Sequence, residues 1–145
     1  MSRSSDDLAR FASAQAPVYA QALAELRAGR KRSHWMWFVF PQLDGLGSSD
    51  MARYYAIRSR AEAAAYLADP VLGPRLVECA QALLAVSESS IDDILGFPDN
   101  LKLQSSMTLF AALPGADPAF AQVLDRYYGG EHDARTLELL ASRHG

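Results

Sequence analysis

Residues suited to ligand chemistry are concentrated in two short segments of the chain, of which the first spans residues 27–42. This segment joins four basic residues to a histidine, to both tryptophans and to two phenylalanines. Arginine holds a phosphate through paired hydrogen bonds, and an aromatic ring stacks on a planar base. The segment therefore predicts a site for a planar, anionic small molecule such as a nucleotide. Its candidate binding residues are Arg30, Arg32, Trp35 and Trp37.

His34 lies between the basic and the aromatic parts of this segment. Because the pKa of histidine is close to neutrality, His34 is a candidate general acid/base or a ligand for an anion. The alternative is a structural histidine that bonds a carbonyl at a helix end. The apolar run from Trp35 to Phe40 is likewise typical of a protein core, since aromatic side chains contribute the largest burial energies.

The second segment, residues 97–110, places polar side chains among large apolar ones. On a helix, Lys102 shares a face with Ser105 or Ser106, so the lysine and the hydroxyls would line a pocket together. Alternatively, these hydroxyls bond carbonyls of the preceding helical turn. Asp99 is a candidate catalytic acid if it pairs with Lys102 or with the histidine of the first segment. Otherwise its charge stabilises the start of the helix.

A site built from both segments requires them to meet around one hollow. Polar groups beside the most apolar parts of a chain cost stability unless they are paired or used, and this favours a ligand site. The predicted function is a small-molecule-binding domain for a nucleotide or ADP-ribose-like ligand, with cleavage of an N-glycosidic bond as the candidate reaction. The alternative is a non-catalytic interaction module, in which the aromatic block is core and the loop Arg30–Arg32 contacts an acidic partner surface.

Composition restricts the class of protein. The 145 residues, half of them hydrophobic, suit one globular domain, and the net charge of −3 disfavours nucleic acid as a partner. No apolar run is long enough to span a bilayer, and residues 1–7 lack the apolar core of a secretory signal. With the lone Cys79, this predicts a cytoplasmic protein. Metal-ligand spacing and nucleotide-cofactor motifs are absent, so neither a metal nor a cofactor is expected, and the oligomeric state is not predicted.

Helices are expected to position both segments, because proline and glycine punctuate the chain and alternating β patterns are nearly absent. We predict an all-α fold, a single compact domain of seven to nine short helices around a central aromatic-rich segment. The domain covers residues 1–145, of which 1–6 form a flexible N-terminus. The aromatic run would be a helix that stops at Pro41, and the second segment a helix that begins near Pro98. Predicted N-caps are Ser59, Ser90, Asp117 and Asp133.

Both segments resemble signature blocks of a known family. Residues 27–42 (RAGRKRSHWMWFVFPQ) and 101–110 (LKLQSSMTLF) closely resemble the two blocks of a small family catalogued as a domain of unknown function (DUF-1810), sometimes mislabelled calpastatin. Residues 66–76 and 127–130 also resemble family landmarks. The resemblance implies a compact, mainly α-helical cytoplasmic domain, without an established activity or catalytic residues. A fainter similarity in size and helical character, to proteins that process ADP-ribose derivatives, nominates the ligand class.

Overall fold

The computed structural model of the protein describes residues 3–142. Met1, Ser2 and residues 143–145, with His144 among them, lie outside this range. Within it the chain is helical, and the only pairing of extended backbone is one isolated parallel bridge between Leu43 and Ile57. The all-α fold class predicted from the sequence is therefore confirmed.

The described range contains ten helices, one more than the upper limit of the prediction. They are α1 (Arg3–Gln15), α2 (Tyr19–Arg27), α3 (Met36–Val39), α4 (Asp50–Tyr54), α5 (Arg60–Ala68), α6 (Leu72–Ala85), α7 (Ile91–Leu95), α8 (Asp99–Ala111), α9 (Pro118–Tyr128) and α10 (Ala134–Ser142). The additional helix is α4, which begins where Ser49 Oγ accepts a hydrogen bond from the N–H of Ala52 at 3.1 Å. None of the residues of α4 is buried, so no apolar periodicity marks this helix in the sequence.

Side chains cap four helices where the sequence predicts it. Each cap accepts a hydrogen bond from a backbone N–H of the first turn at 2.9–3.1 Å, and the caps are Ser59, Ser90, Asp117 and Asp133. These bonds satisfy N–H groups that have no partner inside the helix. At α5 the reciprocal bond differs from the usual capping box: Glu62 accepts from the N–H of Arg58 at 2.9 Å, and not from that of the cap Ser59.

At the N-terminus, the flexible stretch expected over residues 1–6 overlaps the start of α1 and stays a prediction.

Helix α8 is enclosed by other helices and contacts α5, α7, α9 and α10. Every residue from Ser105 to Phe110 is buried, so this part of the helix is covered on all sides and not along one stripe only. The first turn of α8 carries Asp99 and Lys102, whose side chains are only partly covered. Two of the candidate site residues are thus held by a helix that the core fixes in place.

The aromatic run of the first segment is buried, as expected, but its helix is only four residues long. Trp35, Phe38 and Phe40 belong to the core, whereas Trp37 is partly buried. Gln15 donates a hydrogen bond from Nε2 to the carbonyl of Phe38 at 2.7 Å, which ties the segment to α1. This run therefore has a structural role, and it positions the basic loop that precedes it.

Because Trp35 is more deeply buried than Trp37, replacing Trp35 with alanine should destabilise the fold more. Trp35→Ala should lower the free energy of unfolding by about 3–5 kcal/mol, because it removes a fully buried ring, and Trp37→Ala should cost clearly less. Chemical denaturation of both variants, compared with the wild type, measures this difference. Equal losses for the two variants would contradict the assignment of Trp35 to the core.

Candidate functional site

The buried carboxylate of Glu25 in α2 organises the basic loop of the first segment. It accepts hydrogen bonds from the backbone N–H groups of Arg32 at 2.8 Å and Ser33 at 3.1 Å. The Ser33 hydroxyl donates to it at 2.7 Å, and the indole N–H of Trp35 donates at 2.9 Å. The loop is therefore folded around one carboxylate, which also satisfies the only polar group of the buried Trp35 ring.

Burial raises the pKa of Glu25, but the hydrogen bonds to its carboxylate outweigh that effect. The strongest of them come from the backbone N–H of Arg32, the hydroxyl of Ser33 and the indole of Trp35, and together they lower the pKa to about 2. Glu25 is therefore ionised at neutral pH. It reaches that state without a lysine or arginine partner among its hydrogen bonds, so the cations of the loop stay available for other contacts.

Three charged residues join the two segments, and we call them the lysine–aspartate cluster (Lys31, Asp99 and Lys102). The Asp99 carboxylate forms an ion pair with each lysine: one oxygen lies 3.0 Å from Lys31 Nζ and the other lies 3.4 Å from Lys102 Nζ. Each ammonium also faces an indole ring, Lys31 that of Trp35 and Lys102 that of Trp37, at 5.2 Å from the ring centroid in both cases. Cation–π contacts of this kind stabilise by about 0.5–2 kcal/mol. The expected meeting of the two segments is thus realised.

A cavity of about 260 Å³ lies where the segments meet, and we call it the junction pocket. The end of the first segment and the loop after it supply one part of its lining, and α8 supplies another. The lining residues are Gln42, Leu46, Gly47, Pro98, Leu101, Lys102, Ser105 and Asp133. Both a cation and a carboxylate therefore line the same small cavity, together with an amide and a hydroxyl.

Asp133 is held in the lining of the junction pocket by two helices. Its carboxylate accepts the backbone N–H of Thr136 in the first turn of α10 at 3.0 Å, and its own N–H donates to Thr108 Oγ1 of α8 at 2.9 Å. A carboxylate at a helix N-terminus is stabilised by the helix dipole. From the sequence, Asp133 is predicted only as a cap and not as a residue of the site.

The structure separates three candidate residues from the pocket. Arg30, Arg32 and His34 are all exposed to solvent, and none of them lines the junction pocket. Arg30 and Arg32 contribute backbone N–H groups to the folding of the loop around α2. The loop thus fixes the backbone of these residues and leaves their charged groups at the surface.

The predicted tryptophans and serines differ in their burial and in whether they line the pocket. No face of Trp35 is open to a ligand, because its ring is buried, and Trp37 is covered in part by Lys102. Ser105 lines the junction pocket and donates its hydroxyl proton to the carbonyl of Leu101 at 3.2 Å, which is the expected back-bond to the preceding turn. Ser106 is fully buried, and its hydroxyl has no hydrogen-bond partner in the part of the chain that the structure describes.

Four polar residues of the site were not predicted from the sequence to be functional. Glu25 is a single acidic residue beside the apolar stripe of α2, and that position is the one signal of its burial. Lys31 lies between the two predicted arginines, Gln42 ends the first signature block, and Asp133 follows a glycine turn. Their contribution depends on contacts between distant parts of the chain, which no local pattern specifies.

In residues 3–142, no group of three or more histidine, cysteine, aspartate or glutamate side chains is close enough to hold a metal ion. No helix in the same range has the length and the apolar character needed to cross a bilayer.

The fold and the site define a small all-helical domain with a lysine-bearing pocket between its two signature segments. The family described as "Protein of unknown function (DUF1810)" matches residues 5–140, and the chain belongs to this family. The crystal structure of the conserved hypothetical protein Rv1873 from Mycobacterium tuberculosis is similar, with a TM-score of 0.92 and 58% sequence identity. The similarity covers 93% of this chain and 96% of that one. No curated protein matches the chain.

The low pKa of Glu25 predicts a pH-dependent contribution to stability. Because its pKa falls from 4.5 to about 2 on folding, Glu25 stabilises the fold fully above about pH 4.5 and loses that effect as the pH falls towards 2. The free energy of unfolding of Glu25→Gln, subtracted from that of the wild type, should shrink by about 2–3 kcal/mol across this interval. Denaturant titrations at several pH values measure it, and a difference that stays constant with pH would contradict the assignment.

Proposed function

We propose that the junction pocket binds the phosphorylated ribose of a nucleotide or of an ADP-ribose-like ligand. One observation carries this proposal: a lysine, Lys102, and an aspartate, Asp133, line the same pocket, at the place where the two segments meet. A phosphate needs a cation, and sugar hydroxyls need an acceptor such as a carboxylate. A sugar phosphate has both groups in one small molecule.

The charge of the lysine–aspartate cluster supports the phosphate end of this assignment. Two ammonium groups share the single carboxylate of Asp99, so the cluster carries one excess positive charge. The Lys102 side chain is 24% exposed and lines the pocket, whereas the Lys31 side chain is 10% exposed and does not. Lys102 is therefore the cation of the cluster that a ligand in the pocket can reach.

The other polar residues of the pocket lining support the assignment of the sugar. The amide of Gln42 both donates and accepts, and Asp133 accepts from hydroxyl groups. The Ser105 hydroxyl donates its hydrogen bond to the carbonyl of Leu101, so its oxygen can only accept a hydrogen bond from a ligand. The volume of about 260 Å³ is just below the range of about 300–1,000 Å³ that is usual for whole drug-sized ligands, which suits one part of a nucleotide.

The proposal is limited to binding, because neither candidate catalytic residue, His34 or Asp99, lines the junction pocket. Both carboxylate oxygens of Asp99 are engaged by ammonium groups, and His34 is exposed outside the pocket lining. The alternative function, an interaction module, would use the exposed guanidinium groups of Arg30 and Arg32. It predicts salt-sensitive binding of an acidic protein and no binding of sugar phosphates.

The two lysines of the chain provide a matched test of the proposal. Lys31→Gln and Lys102→Gln both remove one ion pair with Asp99 and one contact with a tryptophan ring, but only Lys102 lines the pocket. In isothermal titration with ribose 5-phosphate and with ADP-ribose, Lys102→Gln should weaken binding about tenfold or more, the effect of losing one charge-assisted hydrogen bond. Lys31→Gln should weaken binding clearly less than Lys102→Gln does, because it lowers the charge of the cluster but removes no group of the pocket lining.

Thermal melting of both variants checks that each is folded before its affinity is compared. A ligand that binds the native state stabilises it by about 2.7 kcal/mol at a hundredfold excess over Kd, so the same melts give a second readout. The proposal fails if neither ligand binds the wild type. It also fails if the two substitutions weaken binding equally, since a site at Lys102 alone cannot explain that result.

A further inference from the structure

The side chain of Phe97 is 80% exposed, more than any other large hydrophobic side chain in the described part of the protein. It lies in the turn between α7 and α8 and is followed by Pro98, which lines the junction pocket. Leu101, one turn further along, is 49% exposed and lines the pocket as well. We call these three residues, Phe97, Pro98 and Leu101, the pocket rim. Pro98 and Leu101 belong to the pocket lining, and Phe97 adjoins that lining through its peptide bond to Pro98.

Phe97 differs from the two tryptophans of the site in its exposure. Trp35 is buried, and Trp37 is partly buried, with Lys102 facing its ring. Single exposed apolar side chains are common on protein surfaces, but here Leu101 lines the pocket and Phe97 is bonded to Pro98, which lines it as well. Of these three rings, that of Phe97 is the most exposed.

We infer that the pocket rim stacks on the base of a nucleotide whose ribose phosphate occupies the junction pocket. This inference rests on the proposed function and deepens it, because a sugar phosphate alone has no apolar face for the rim to cover. A nucleobase has two such faces, and stacking on an aromatic side chain accepts any base. The ligand class is thus narrowed from phosphorylated sugars to nucleotides.

Space for the base exists beside the rim. Leu101 also lines a second, larger cavity of about 460 Å³, so it forms a wall shared with the junction pocket. Amide groups line this second cavity, those of Asn100 and Gln104. Gln104 donates its amide N–H to the carbonyl of Glu131 at 2.9 Å, which leaves its carbonyl oxygen as an acceptor for the edge of a base. A base that extends past Leu101 meets polar groups at its edge and apolar groups on its face.

Comparison of AMP with ribose 5-phosphate tests the inference, since the two ligands differ by the base alone. The wild type should bind AMP more tightly than ribose 5-phosphate. Phe97→Ala should weaken AMP binding about tenfold or more, the usual effect of losing one stacked ring, and leave ribose 5-phosphate unchanged. Phe97→Trp should retain the preference for AMP, because an indole offers a larger stacking face. Isothermal titration measures all of these affinities.

Tyr54→Ala is the matched control, because Tyr54 is also an exposed aromatic residue, at 57%, but lines a different cavity. It should change neither affinity. If ribose 5-phosphate binds and AMP binds no tighter, the inference is overturned and the proposed function stands. An equal loss of both ligands in Phe97→Ala also overturns it, since the rim would then shape the pocket and not hold a base. If neither ligand binds the wild type, the proposed function itself fails.

Discussion

The carboxylate of Asp99 is the interaction on which the candidate site depends. It holds one ammonium from each segment, and each ammonium rests on an indole ring of the first segment. An aspartate between two lysines removes the repulsion that would otherwise separate them, so a single carboxylate brings two distant parts of the chain together. The cluster also keeps one positive charge in excess. That charge is placed at the pocket because Lys102, and not Lys31, belongs to the pocket lining.

A second carboxylate, that of Glu25, makes this arrangement possible. Because three donors of the loop, the Trp35 indole and the Gln21 amide satisfy it, Glu25 does not compete with Asp99 for the lysines. The two acidic groups thus have separate tasks: Glu25 fixes the backbone that carries Lys31, and Asp99 fixes the side chains. Hydrogen bonds to a buried carboxylate offset its desolvation, which is why one acidic residue in α2 folds a whole loop.

Local signals in the sequence predict most of the fold and part of the site. Caps at Ser59, Ser90, Asp117 and Asp133 mark helix starts because each depends on residues only two or three positions apart. The predicted meeting of the two segments also holds. Which basic residue of the loop pairs with Asp99 was not predictable, since Arg30, Lys31 and Arg32 are adjacent in a loop without periodicity. Their orientation is decided by Glu25 and Asp99, which lie outside that loop.

The same reasoning explains why residue type alone does not predict which aromatic rings of the two segments are buried. Tryptophan is the better stacking residue, but its indole N–H requires a partner once the ring is buried. Glu25 supplies that partner to Trp35, and this commits the ring to the core. Phe97 has no polar group, so no hydrogen bond fixes its side chain, and the turn before α8 leaves it in solvent. An exposed phenylalanine forgoes about 1.5–3 kcal/mol of burial energy in the free protein. Contact with a base would recover part of that energy on binding.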